Sequence, residues 1–338
     1  MNPSTDLLER PLRDLRISVT DRCNFRCRYC MPKEIFGDDY AFMHGSELLS
    51  FDEIERLVSL FVGLGVSKVR LTGGEPLLRR GLPELISRIT AIQGVEDLGL
   101  TTNGLLLGSQ AQPLYDAGLR RLNISLDALN PRRFGYMNGR GIKPQQILKR
   151  IDYARSIGYK IKINMVVQKG MNDMEILPMA DYFRERGITL RFIEFMDVGN
   201  DNGWRQDYVV SQDAILKKLR TRYELEPVHH GVYGEVANYY RYAGTDTEVG
   251  FISSVSNSFC SSCTRARLSS EGKLYTCLFA TEGYDLRSLM RRGADDAVLL
   301  QAIKRTWEHR LDQYSDERGE DDQPQTRKGK INMSYIGG

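Results

Sequence analysis

Three cysteines fall within eight positions in the stretch DRCNFRCRYCMP, as Cys23, Cys27 and Cys30, and no other follows until Cys260. A second run, CSSCTRARLSSEGKLYTC, supplies Cys260, Cys263 and Cys277, so the six cysteines form C-x3-C-x2-C and C-x2-C-x13-C. A structural zinc site takes four protein ligands, a disulfide joins two cysteines, and a cubane iron–sulfur cluster takes one thiolate per iron. Three ligands in so tight a run leave one position for something else. Two zinc sites, each borrowing a fourth ligand, stay open on this count. However, His44, His229, His230 and His309 all lie outside the cysteine runs, and no C-x2-C is followed by H-x3-H. One cluster held by all six cysteines would have to bring the two runs together. Two three-cysteine iron–sulfur sites, each with one iron left open, explain the count more simply.

The composition suits such sites. A net charge of +3 over 338 residues gives no global attraction to nucleic acid or to an anionic membrane. Anion binding must therefore come from local groups of Lys and Arg. The N-terminal MNPSTDLLERPLRDLR lacks the apolar core of a secretory signal, and no stretch reads as a membrane span. A cytoplasmic protein is expected, and in a reducing cytosol clustered cysteines point to metal or catalysis rather than disulfides.

The elements that position these residues alternate. β-rich runs occur at 17–20, 68–72, 98–102, 121–126, 160–167 and 189–195, with helical patterns between most of them. In SFDEIERLVSLFVGLG, Ser50 and Glu53 form a capping box before Ile54, Leu57, Val58 and Phe61. Helices also fit 82–92, 111–117, 146–157 and 175–186. About six strand–helix units imply a parallel sheet, either doubly wound or curved into an incomplete barrel. Polar residues decide between them. Cys23–Cys30, GGEP (73–76), TTN (101–103), Ser125 with Asp127, Lys162 with Asn164, and Glu194 with Met196 lie at or near the ends of successive strands. When every strand contributes, the strand ends ring one central site, as on a barrel. A doubly wound sheet would concentrate its site at one switch point. The expected fold is an α/β, incomplete (β/α)6 TIM-like barrel over residues 1–200, followed by a C-terminal extension over 201–338. In that extension SQDAILKKLRTRY reads as a helix, strands are expected near 239–242 and 248–253, and DERGEDDQPQTRKGK reads as a mobile linker.

C-x3-C-x2-C with an aromatic residue, Tyr29, before its last cysteine resembles the signature of radical S-adenosylmethionine (SAM) enzymes. That resemblance implies a partial (β/α)6 barrel and a [4Fe–4S] cluster on Cys23, Cys27 and Cys30 whose open iron binds SAM. It also implies cosubstrate contacts from Tyr29, Gly74 and Glu75 of GGEP, Ser125 and Met196. FCSSCTRAR, GKLYTCLF and the terminal Gly337-Gly338 narrow the resemblance to the GTP 3′,8-cyclase family of molybdenum cofactor biosynthesis, over residues 15–338, with 316–322 the least constrained part. The narrower resemblance implies a second [4Fe–4S] cluster on Cys260, Cys263 and Cys277 that binds the guanine of GTP. A 5′-deoxyadenosyl radical would take the ribose 3′ hydrogen, and the product would be 3′,8-cyclo-7,8-dihydro-GTP.

The same resemblance assigns substrate contacts to Arg16, Arg70, Thr101, Lys162, Arg265 and Arg267. Lys68 and Arg191 join them as residues on strands of the same barrel. Several cations suit a triphosphate, and Arg supplies forked contacts. Arg265 and Arg267 are the residues placed to assist reduction of the cyclised radical. A tail ending in Gly337 and Gly338 is expected to insert toward the active site. Further implications are a homodimer, an electron donor, and a downstream cyclic pyranopterin monophosphate synthase as partner. A two-cluster maturase acting on peptides is the nearest rival, but the three C-terminal cysteines, the interposed arginine pair and the Gly-Gly end speak against it. A carrier of electrons would have no use for an open iron, and a zinc-dependent nucleic-acid binder should show basic and aromatic interleaving.

Overall fold

The structure is a computed structural model that describes residues 3–199, 202–318 and 329–337. Six strands alternate with helices through the first part of the chain: β1 (Asp14–Ser18), β2 (Lys68–Thr72), β3 (Asp97–Thr102), β4 (Arg121–Ser125), β5 (Lys160–Val167) and β6 (Thr189–Glu194). The helices are α1 (Phe51–Gly63), α2 (Leu82–Ala91), α3 (Leu107–Asp116), α4 (Pro131–Met137), α5 (Pro144–Ile157) and α6 (Ile176–Glu185). α1 starts where the capping box places it, with Ser50 accepting from the Glu53 backbone N–H and Glu53 from that of Ser50. It buries Ile54, Leu57, Val58 and Phe61, each contributing about 1.5–3 kcal/mol when removed from water.

After β6 come α7 (Gln212–Arg220), β7 (Leu225–Val228), β8 (Asn238–Tyr242), β9 (Glu248–Ile252), β10 (Arg265–Leu268), β11 (Lys273–Tyr275) and β12 (Tyr284–Asp285). These are followed by α8 (Leu286–Arg291), α9 (Asp296–Glu308), α10 (Tyr314–Glu317) and α11 (Met333–Ile336). All the strands belong to one sheet in the order β12-β11-β10-β1-β2-β3-β4-β5-β6-β9-β8-β7. The parallel part is therefore larger than six strands. β10 pairs parallel with β1, and β9 pairs parallel with β6. The later part of the chain thus adds a parallel strand to each side of the six, and antiparallel strands continue beyond them. β7 and β10 to β12 escape a period-two reading because they are short, and because β10 carries charge on the face that the first six strands also keep polar.

The alternation along each strand divides the sheet into two faces. Leu15, Ile17, Val69, Leu71, Leu122 and Ile124 are buried among the helices. On the opposite face stand Arg16, Arg70, Asn123, Lys162, Arg191 and Arg267, with neighbours set by register: Arg267 beside Arg16, Arg16 beside Arg70, Arg70 beside Gly99, and Asn164 beside Arg191. No helix among the described residues is long and apolar enough to cross a membrane.

The segments that follow β6 and β11 meet the C-terminal part of the chain. Val198 after β6, Phe279 after β11 and Tyr314 on α10 form a small apolar cluster, with Met196, Cys277, Leu278 and Met333 packed against it. The centre of the polar stretch expected to be mobile, residues 319–328, lies outside the described residues. Its flanks are anchored: Arg318 and Lys330 both pair with Asp197, at 2.6 and 2.8 Å.

Candidate active site

The loop carrying Cys23, Cys27 and Cys30 leaves β1 and rests on the loop that leaves β2. Gly74 N–H donates to the Thr20 carbonyl at 2.8 Å and Glu75 N–H to the Arg22 carbonyl at 2.8 Å. A Cβ on Gly74 would lie 2.4 Å from the Arg22 carbonyl oxygen, so only glycine permits this approach. Glu75 is buried, and its carboxylate accepts from Thr102 Oγ1, Leu77 N–H and Asn103 N–H, at 2.7, 3.1 and 2.8 Å. The side chain expected to meet a cosubstrate thus joins the GGEP loop to TTN. Asn103 extends the connection to Asn24, between Cys23 and Cys27. Arg26, which nothing local in the sequence singles out, is buried and donates to the carbonyls of Cys23, Phe25 and Phe36.

Tyr29 donates its hydroxyl to Asp127 at 2.9 Å, and Asp127 also accepts from Val166 N–H at 3.0 Å. Burial pushes the Asp127 carboxyl up to about 6 and that of Glu75 up to about 7. Burial, followed by a nearby carboxylate, pushes the Cys23 and Cys30 thiols up to about 12, and burial, then Cys23 and Asp127, pushes the Cys27 thiol well above its ordinary value. Ser125 ends β4 beside Asn164. Met196 borders the small apolar cluster of Val198, Phe279 and Tyr314, and its carbonyl accepts from Asn202.

The second cysteine group lies at the start of β10, so that Arg265 and Arg267 lead from it into the polar face of the sheet. Arg265 donates to Cys263 Sγ at 3.4 Å and lies over the Phe259 ring. Burial alone would raise the Cys263 thiol, but Arg265 and then Arg310 hold it down to about 6. Cys277, after β11, is pushed up to about 11 by burial and by Asp312.

Between the two groups, guanidiniums accumulate with little to neutralise them. Burial lowers the Arg16 pKa well below its ordinary value, and Arg267, Arg265 and Arg70 lower it further against Asp14. Arg267 is brought down to about 10 by burial and Arg265. Arg191 is lowered by burial, with Arg70 and Arg121 adding to it. Asp14 and Asp97 are the acidic residues on this face of β1 to β3, and Asp97 already pairs with Arg70 and Arg121. Arg16 Nε, Arg70 Nη1 and Arg265 Nε are buried and have no hydrogen-bond partner among the described residues. Such a set favours an anion, since a charge removed from water without a partner is costly.

The remaining residues line the same face. Arg191 donates to Asn164 at 2.9 Å and to Asn123 at 2.8 Å, and Lys162 donates to the Tyr239 hydroxyl at 2.9 Å. Thr101 is level with Asn123, which is level with Lys162. Lys68 lies in register with Asp14 and Asp97, at the opposite end of the strands from Thr72. Gly99 makes room for Arg70, because a Cβ there would overlap its Nη1 at 1.6 Å. The tail also ends here. The Gly337 carbonyl accepts from Arg267 Nη1, and a Gly337 Cβ would meet Thr72 Cγ2 at 2.1 Å. Gly337 has φ +75°, a conformation that favours glycine. Gly338 lies outside the described residues.

The donor set fits iron–sulfur clusters. Each group offers three thiols, and among the described residues no three His, Cys, Asp or Glu side chains converge on a single-ion site. A cubane spreads its thiolates over separate irons.

Known proteins resemble this chain over most of its length. A profile of the radical SAM superfamily matches residues 17–183, and one described as Molybdenum Cofactor Synthesis C matches residues 188–316. The GTP 3′,8-cyclase of Staphylococcus saprophyticus is 56% identical over 335 residues, covering 99% of this chain and 98% of its own. That of Staphylococcus epidermidis is 57% identical over 334 residues, covering 98% of each chain. The chain belongs to the GTP 3′,8-cyclase family. Its fold is that of the radical SAM enzymes. The crystal structure of Streptococcus suis SuiB bound to S-adenosylmethionine superposes with a TM-score of 0.58 at 16% identity, over 89% of this chain and 68% of that one. At that identity the likeness concerns the fold alone.

Sequence reasoning missed Arg10, Arg26, Asp197 and Arg310. Each acts on residues remote in the sequence or through backbone carbonyls, and no motif marks them.

Proposed function

We propose that this chain is a radical SAM GTP 3′,8-cyclase that converts GTP into 3′,8-cyclo-7,8-dihydro-GTP, an early step toward the molybdenum cofactor. The observation that carries this reading is the group of under-neutralised arginines, the buried Arg267 and the half-buried Arg16, Arg70 and Arg265, between two cysteine triads. Four cations on one polar face suit a triphosphate, and full-length relatives above 50% identity are named for this activity.

Cys23, Cys27 and Cys30 would hold one [4Fe–4S] cluster with SAM, and Cys260, Cys263 and Cys277 a second that receives the guanine. When bound, the first cluster and SAM supply a 5′-deoxyadenosyl radical able to take the ribose 3′ hydrogen. The chain's own residues orient and enclose the substrate. Gly74 and Glu75 hold the first cysteine loop against β2, while Tyr29, Ser125 and Met196 border the cosubstrate. Arg16, Arg70, Lys162 and Arg191, with Lys68 and the Thr101 hydroxyl, hold the phosphates. Arg265 and Arg267 stand beside the second cluster, Gly337 closes the site over Arg267, and the terminal Gly338 belongs to the same proposed tail. The proposal includes a cytoplasmic homodimer, an external electron donor, and a cyclic pyranopterin monophosphate synthase that takes up the product.

An anaerobic assay tests the reading. The protein is reconstituted with iron and sulfide, reduced with dithionite, and given SAM with GTP deuterated at the ribose 3′ position. Deuterium should appear in 5′-deoxyadenosine, and its formation should depend on GTP. Cleavage of SAM indifferent to GTP would keep the superfamily and overturn the substrate.

A further inference from the structure

The second cysteine group is held by a buried charged network from both ends of the described chain. Arg10 is fully buried; its Nε pairs with Asp6 at 2.7 Å, and its Nη1 donates to the carbonyls of Cys260 and Asp312, both at 2.8 Å. Asp6 is itself buried and accepts a second guanidinium, that of Arg310, at 3.3 Å. Arg310 Nη1 donates to the Cys263 carbonyl at 2.8 Å, and its Nη2 donates to Cys263 Sγ at 3.2 Å. Trp307 fixes both arginines: its indole N–H donates to the Arg10 carbonyl, and its ring lies 4.7 Å from the Arg310 guanidinium carbon. Asp312 completes the frame by accepting from Thr276 at 2.6 Å, one residue before Cys277. All three cysteines are thereby tied to one network.

Within it two guanidiniums meet two carboxylates, but both share the buried Asp6, while Asp312 is a third exposed and 3.5 Å from Arg310. At Cys263 Sγ itself the neighbours are cations, since Arg265 donates there as well, at 3.4 Å. A [4Fe–4S]2+ core with three thiolates carries one net negative charge, which becomes two when it gains an electron. An adjacent guanidinium that also donates to a ligand sulfur favours the more negative state, and so raises the midpoint potential. At the first cysteine group the described contacts differ in kind. Arg26 donates only to carbonyls, and Cys23 Sγ accepts from the Phe25 backbone N–H.

We propose that Arg310, held in place by Asp6, Arg10 and Trp307, is a positioning residue for the second cysteine group, one that sets the loop of Cys263 and raises the midpoint potential of the cluster bound there. This role rests on the two-cluster reading of the proposed function. The test uses the full-length reconstituted protein as wild type, Arg310→Gln and Arg310→Lys. Iron and sulfide are counted, and each is titrated potentiometrically with dithionite under electron paramagnetic resonance. Addition of SAM marks the first cluster's signal by perturbing it. Gln keeps a neutral donor and Lys keeps a charge without the fork, so a downward shift of the second midpoint is expected in both, with the first unchanged. Loss of iron from the second group alone, in a chain still folded by circular dichroism, also supports the positioning role. Wild-type midpoints in both variants with both clusters loaded would overturn it. Iron for a single cluster in the wild type, unaffected by Cys263→Ala, would remove the two-cluster reading itself, and the iron count tells that failure apart.

Discussion

The two cysteine triads differ in their electrostatic surroundings, and the difference is centred on Cys263. Cys23, Cys27 and Cys30 are half-buried near the buried Asp127 and Glu75, and their thiols are pushed upward by burial and then by negative neighbours. Cys263 is nearly as buried, yet Arg265 and Arg310 bring it down to about 6. The difference lies in what each loop is built on. The first rests on backbone contacts with the GGEP loop and on carboxylates that accept N–H and O–H groups, while the second rests on guanidiniums that donate to sulfur and to carbonyls. The first group is thus a scaffold with its polar atoms largely engaged inside the protein. Leading from the second is a row of cations whose polar atoms are partly free. On the proposed function, an anionic substrate would be drawn to the second side, and the cosubstrate would be presented from the first.

The sharpest way to break the comparison is to remove one triad at a time. Cys27→Ala should abolish 5′-deoxyadenosine formation while iron remains at the second group. Cys263→Ala should lose iron from the second group and abolish cyclised product, but leave SAM cleavage detectable. Equal effects of both on SAM cleavage would erase the distinction. Arg267→Ala comes next. It removes a buried cation at the junction of the second triad and the tail, and a loss of product formation on the order of 10²–10³-fold is expected, with iron unchanged. Gly337→Val acts on the same junction from the tail, because a Cβ there collides with Thr72, and a smaller loss should follow.

Gly99→Ala probes the phosphate side. The added Cβ meets the mobile end of Arg70 rather than backbone, so the protein should fold normally while Arg70 is displaced. A rise of about tenfold in KM for GTP, worth about 1.4 kcal/mol, is expected from steady-state kinetics. Last is a site away from both triads. His230 lies between Glu248 and Glu235, at 3.0 and 3.1 Å, and these carboxylates raise its pKa above 6.5. The stability this gives is fully present below the unfolded value of 6.5 and is lost as pH rises through the higher folded value. The group is partly exposed, so His230→Gln should flatten the pH dependence of the melting temperature by an amount worth under about 1 kcal/mol. An unchanged profile would show the pair to be without consequence.

Much of this site is legible in the sequence because its signals are local. C-x3-C-x2-C, the Ser50–Glu53 cap and the period-two runs all act over a few residues, where backbone geometry dictates what neighbours what. The six strands and the cysteines come from that. Arg16, Arg70 and Lys162 come instead from the family resemblance, and Arg191 from its place on a strand of the same barrel; alternation is why they share one face of the sheet. The parts that escaped were set by contacts between distant parts of the chain. β10 pairs with β1 although Arg267 and Arg16 are far apart in sequence, so the parallel sheet exceeds six strands. Arg10 reaches the Cys260 carbonyl across 250 residues. Asp197 gathers Arg318 and Lys330 from either side of the undescribed stretch, and so seats the tail. The sequence by itself determined which residues carry the chemistry, because thiols, guanidiniums and glycines announce their properties by type and spacing. Only the tertiary structure decided the charge around each cysteine, because desolvation and Coulomb energies depend on distance and burial, which a linear order of residues does not contain.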